Sequence, residues 1–234
     1  MDTHFPSAPL PPGQRERPDF PRFGLGLFAK RFPRHVGSTA LAVRGDVASP
    51  CEAVDPFASL PRVSLTSDFH CVTSWSVRAV RWSGVRFADF HREIVVPLVK
   101  PAADATLVVF RGQDGYATSL PLADLLSGDV LLADRLDDEP LPVAHGAPLR
   151  LVAPAHYGYK NPKHLEAIEY WRDGRNYRFP FPYPSLMDHP RGRVAFEERG
   201  RWVPAWLLRS FYRLLIPPTV RAFRRALERH GRRM

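Results

Sequence analysis

The chain has 234 residues, enough for one domain or two small ones, and its 44% apolar content allows a sizeable core. Its 33 lysines and arginines outnumber 24 aspartates and glutamates, a net charge of +9 with histidine neutral. That balance calls for an anionic partner such as a phosphate-bearing cofactor, an acidic protein, nucleic acid or an anionic membrane, and chooses none of them. Two cysteines, Cys51 and Cys71, exclude a disulfide framework; the sequence shows no secretory signal and no apolar run of membrane-spanning length. The expectation is a soluble cytoplasmic protein with reduced thiols.

Residues 1–21 are rich in proline and poor in apolar side chains, which predicts a disordered or extended arm. The stretch "RFGLGLFAKRFP" (22–33) is aromatic and glycine-rich, suited to lie on a domain surface or a ligand. A strand and turn follow at 39–47, then a turn or short helix and a strand across 58–69. The segment "HCVTSWSVRAVRWSGVRF" (70–87) places Cys71 beside His70, ahead of a basic, aromatic strand. Helical spacing of Phe87, Phe90, Ile94 and Val95 predicts a helix that Pro97 ends. A buried strand is predicted at 105–112, a short helix over 120–132 with Gly128 as its stop, and a strand at 147–154. Residues 157–174 read as a loop, a helical turn after Pro162 and a strand. Short strands broken by single short helices predict a mixed, β-rich α+β or β-barrel-like domain over 22–200, not a parallel βαβ sheet. Beyond Gly200, "WVPAWLLRSFYRLLI" and "TVRAFRRALERHGRRM" flank Pro217-Pro218 and predict a basic amphipathic helical tail over 201–234.

Cys71 is open to four readings: core filler, half of a disulfide, a nucleophile with a histidine base, or a metal ligand. Cys51, His70, Cys71 and His91 lack the spacing of a protein-only zinc site. A second stretch, "HGAPLRLVAPAHYGYKNPKHLEAIEYW" (145–171), collects His145, Arg150, Lys160 and Lys163, with Gly146 and Gly158 permitting close backbone approach. Cations on such a loop suit a compact anion, or else form a solvated basic face. Neither a Walker A nor a Rossmann fingerprint is present, so no nucleotide is expected.

Taken in order, the two stretches resemble the sulfite-oxidase-type molybdopterin oxidoreductases, in particular the bacterial branch that includes the methionine sulfoxide reductase catalytic subunit. "FEERG" (196–200) is similar to a motif near the end of that domain. The resemblance implies one molybdopterin, with Cys71 as the thiolate on molybdenum. By motif position it implies cofactor contacts from His145, Arg150, Gly158, Lys160, Asn161, Pro162 and Lys163, with His70 beside the cysteine and Phe23 at an N-terminal pterin contact. It implies oxygen-atom transfer to or from a small oxo acceptor or donor, and a separate electron-transfer protein. The alternative is a non-enzymatic basic module for nucleic acid or anionic membrane, with Cys71 structural. On the first reading no nucleic acid is expected. The tail then either packs Trp202, Trp206, Leu207, Phe211 and Leu214 onto the domain, or docks on an acidic protein or an anionic membrane surface.

Overall fold

The computed structural model describes residues 9–232. The segment around Cys71 folds as a hairpin: β4 (Val63–Cys71) and β5 (Trp75–Arg86) run antiparallel with Cys71 opposite Trp75. The Ser74 amide closes the turn on the Cys71 carbonyl at 3.0 Å. Strand β5 is long enough to serve two more partners. Its start takes the two-residue β1 (Arg15–Glu16) in parallel, and its end pairs β8 (Leu131–Leu136). Strand β8 also carries β9 (Glu139–Pro140) and β10 (Arg150–Val152), completing six strands.

A second sheet has the order β3-β2-β11-β6-β7. These strands are β2 (Leu41–Gly45), β3 (Cys51–Val54), β6 (Leu107–Gly112), β7 (Ala117–Pro121) and β11 (Leu165–Trp171). At its centre β11 runs parallel to β2 and antiparallel to β6. One large buried cluster joins both sheets, drawing on Val43, Val108 and Ile168 from one and Val85, Leu132 and Leu151 from the other. Helix α1 (Phe87–Asp89), continuing as a π-helical stretch over Phe90–Val99, adds Phe87, Phe90, Ile94 and Val95 to that core. The fold is the mixed, β-rich α+β class that the strand pattern predicts.

Several boundaries differ from expectation. Pro97 lies inside the π-helical stretch, which ends at left-handed Lys100; the Lys100 amide reaches the Val95 carbonyl. Helix 120–132 shrinks to one turn, α2 (Leu122–Leu125), because Leu120 and Leu131 are claimed by strands on either side. The helical turn of the 157–174 segment precedes Pro162, at Gly158–Lys160.

The N-terminal arm is extended and packed from residue 9 on, not disordered; residues 1–8 lie outside the described residues. Gln14 is the reason at one end: its amide donates to the Cys71 carbonyl, and Ser76 donates back to Gln14 Oε1. Phe20 is the reason at the other, its ring centroid 4.9 Å from Phe69 and 4.4 Å from His145.

The tail forms α3 (Ala205–Leu214) and α4 (Ile216–Gly231), and Pro217 and Pro218 occupy the first turn of α4, where their missing amides cost nothing. Phe223 and Ala226 pack on Ala29, in the 3-10 turn Gly26–Lys30. The face expected to pack is the wrong one: Trp202, Trp206, Leu207, Phe211 and Leu214 are exposed, while Leu208 and Tyr212 are buried.

Candidate active site

Cys71 ends β4 and is buried. Its Sγ lies 3.1 Å from the Thr73 hydroxyl. Burial pushes the thiol pKa up, while the Thr73 hydrogen bonds and the charges of Arg199 and Lys163 pull the other way. The buried Arg199 guanidinium fixes the turn after the cysteine by donating to the Val72 carbonyl, Ser74 Oγ and the Pro12 carbonyl. Cys71 faces a cavity of about 200 Å³.

Three cations converge on that cavity from distant parts of the chain. Arg22 donates to the carbonyls of Phe28, Ala29 and Arg31. Arg150 donates to the carbonyls of His145, Leu151 and Asn161 and lies 4.6 Å over the Trp82 ring. Lys163 donates to the carbonyls of Phe23 and Ala144. All three are held by neutral carbonyls, and among the described residues Asp114 is the sole acid lining the cavity.

Desolvation acts accordingly: burial lowers Arg22 to about 10, Arg150 to about 9 and Lys163 to about 7. Half-buried His145 and buried His164 fall to about 3 by the same cause, reinforced by Lys163, and stay neutral. Buried positive charge without a matching carboxylate is costly, and a bound anion repays it. Cofactor-free protein should therefore gain a few degrees in Tm with sulfate, more at pH 6 than at pH 8, because Lys163 alone of the five titrates across that window and binds anions when protonated. Lys163→Met should abolish the pH difference in calorimetry; an unchanged difference would locate the anion elsewhere.

The remaining predicted residues separate into three groups. Phe23, His145, Gly158, Asn161 and Pro162 line the cavity with Cys71, Arg150 and Lys163. A Cβ at Gly158 would lie 2.5 Å from the Phe69 ring, so glycine alone allows this loop to close on β4. The Asn161 side chain mainly braces its own loop, with Oδ1 accepting from the Ala153 amide and Nδ2 donating to the Tyr157 carbonyl. His70 turns to Ser76, 2.7 Å from its hydroxyl, and does not line the cavity. Lys160 departs from the expectation altogether. It is fully buried and bound to Asp188 at 2.7 Å and to the Ser119 carbonyl at 2.9 Å, away from the cavity wall.

Residues that the sequence does not single out complete the site: Arg22, Thr73, Asp114, His164 and Arg199, and from the tail Tyr212 and Phe223. Arg22 lies in the quoted "RFGLGLFA" stretch and Arg199 in "FEERG", so the signal is present for those two. Nothing in the pattern of the tail shows that Tyr212 and Phe223 face a cavity.

Among the described residues no group of three or more His, Cys, Asp or Glu could hold a metal by itself. A metal beside Cys71 must bring its other ligands with it. One buried soft donor, two buried arginines and a half-buried lysine without salt-bridge partners among the described residues, and a loop closed by glycine fit a metal carried on an anionic organic group. This is the class of protein that the fold and site define.

Residues 31–177 match the family described as the oxidoreductase molybdopterin binding domain. An uncharacterized oxidoreductase of Bacillus subtilis, YuiH, is 33% identical over 203 residues, covering 84% of this chain and 94% of its own. A putative protein-methionine-sulfoxide reductase subunit of Azospira oryzae, YedZ1, is 35% identical over 128 residues, covering 51% of this chain and 47% of its own. Among solved structures, the sulfane dehydrogenase SoxCD from Paracoccus pantotrophus has a TM-score of 0.50 at 19% identity, over 66% of this chain and 43% of that one, and so shares the fold. The chain belongs to the sulfite-oxidase-type molybdopterin oxidoreductases; it is a molybdenum-dependent oxidoreductase whose cofactor is molybdopterin.

Proposed function

We propose that the enzyme exchanges an oxygen atom with a small molecule, using Cys71 Sγ as the protein ligand to molybdenum and a separate protein as its electron partner. The observation that carries this is the position of Cys71 in a cavity also lined by buried Arg22 and Arg150 and half-buried Lys163, none of which forms a salt bridge among the described residues. The reaction balances as an oxo donor plus two protons and two electrons giving the deoxygenated product and water, or the reverse with an oxo acceptor. When bound, the molybdopterin supplies the two-electron couple at which this exchange occurs.

The residues of the chain prepare the site. Arg22 and Lys163 offer charge-assisted hydrogen bonds to the anionic part of the cofactor, and Arg150 reinforces the positive field from behind the loop. Thr73 and the positive charges of Arg199 and Lys163 favour the thiolate that a metal requires, against the opposing effect of burial. Phe23 and Trp75, edge to face with centroids 5.6 Å apart, exclude water beside the cysteine. Electron exchange with a second protein accords with the Azospira relative being named a subunit.

Protein from a host competent for molybdopterin should carry about one molybdenum per chain and turn over with a redox dye. Folded protein from that host with neither metal nor dye activity would overturn the proposal.

A further inference from the structure

Helix α3 buries Leu208 and Tyr212 and turns its other face outward. On that outer face Trp206 is 64% exposed, Phe211 55% and Leu214 74%, with Leu207 beside them. Leu207, Phe211 and Leu214 recur at four- and three-residue steps and form one apolar stripe along the helix, with Trp206 about 100° round the helix from it. Trp202, immediately before the helix, is 82% exposed. Other apolar side chains such as Leu98 and Phe181 are also exposed, but the tail gathers Trp202, Trp206, Leu207, Phe211 and Leu214 within thirteen residues, and such a cluster marks an interaction site.

The next helix turns a different face outward. On α4 Phe223 and Ala226 are buried, while Arg221, Arg224, Arg225 and Arg229 are exposed, with Glu228 as the one acid among them. None of these four arginines joins a salt bridge among the described residues, in contrast to Arg209 on α3, which pairs with Glu197. One helix therefore presents aromatic and aliphatic bulk, and its neighbour presents uncommitted positive charge. We propose that α3 and α4 together dock the enzyme on an anionic lipid bilayer surface, with the α3 stripe sunk into the interface and the α4 arginines on the headgroups.

Three features favour lipid over a protein partner. Exposed Trp202 and Trp206 stand at the start of the helix and Leu214 at its end, a composition that settles at the headgroup level. Stable peripheral attachment takes two signals, apolar insertion and a basic patch, and the two helices provide one each. The four arginines lie on one helix face with long flexible stems, suited to a diffuse charged plane and needing no matched carboxylates. The same two helices supply Tyr212 and Phe223 to the cavity wall, so docking would set the active-site cavity beside the bilayer.

The test uses the full-length holoprotein and vesicles of phosphatidylcholine with or without phosphatidylglycerol. Wild type should co-sediment with the anionic vesicles, release partly with salt, and show tryptophan quenching by brominated lipid. Trp206→Ser with Phe211→Ser should weaken binding about tenfold or more and remove most of the quenching. Arg221→Glu with Arg225→Glu should weaken it at least about tenfold, since each near-surface arginine contributes about fivefold. None of these four residues lines the cavity, so dye-linked turnover should hold in both variants. Absence of binding, equal binding to neutral vesicles, or binding unchanged in the variants would overturn the proposal. So would a wild-type dimer, or capture by an acidic protein, that the apolar pair abolishes while vesicles bind neither form.

Discussion

Cys71→Ser protein should fold and lose turnover with every dye and partner. The substitution removes one buried sulfur at a strand end, a truncation that costs about 1 kcal/mol and leaves the β4–β5 hairpin intact. What it changes is the donor: a hydroxyl deprotonates far less readily than a thiol and offers a hard oxygen where a soft sulfur suits molybdenum. The cationic cradle is untouched, so some cofactor should still bind, and its absorption spectrum should differ from wild type. Cys51 makes the control. It lies on edge strand β3, half-buried at the margin of the large core and outside the cavity, and Cys51→Ser should keep wild-type activity. Retained turnover in Cys71→Ser would remove Cys71 from the metal.

Lys160→Met should produce the largest loss of stability of any single change in the cofactor loop. Lys160 and Asp188 are 0% and 2% exposed and lie 2.7 Å apart. Burial lowers the lysine pKa, and the carboxylate beside it opposes that shift. Removing the lysine leaves a buried carboxylate without its cation, at a cost of about 3–5 kcal/mol. For a chain of this length that is roughly 6–20 °C in Tm. Adding Asp188→Leu should recover most of the loss, because two apolar side chains remove both charges together. Turnover per folded molecule should hold in the double variant. If cofactor content falls in proportion to Lys160 replacement while Tm stays constant, Lys160 touches the cofactor after all.

That distinction marks how far the sequence can be read. Strands β6 and β10 are legible because each is a short apolar or alternating run closed by glycine or proline, and β5 because it is a long run of aromatic and β-branched residues after the turn at Cys71. Cys71 and the 145–163 loop stand out through residue type. Direction is what sequence does not carry. Lys160 and Lys163 are three residues apart on the same loop, yet one meets Asp188, 28 positions further on, and the other meets the cavity. Tail helix α3 illustrates the same limit. Its two faces, Leu208 with Tyr212 and Leu207 with Phe211, are both apolar, and periodicity cannot decide between faces of similar hydropathy; the complementary surface on the domain decides. Arg22 and Arg199 lie in quoted stretches but do not stand out within them, because Arg22 is held by backbone carbonyls, which every sequence contains, and Arg199 by the carbonyls of Pro12 and Val72 together with Ser74 and Glu197.

The central position of β11 has a consequence for synthesis of the chain on the ribosome. Strand β2 must wait for Ala167–Tyr170 to arrive as its parallel neighbour, about 125 residues after it has itself emerged. At about 5–20 residues per second that is roughly 6–25 s of waiting. During it β2 and β3 can pair only with each other, and the free edge of β2, including buried Leu41 and Val43, stays open to any passing strand. The second sheet thus closes only after about three quarters of the chain has been made, and until then the β2 edge is the part of the nascent chain that a chaperone would cover.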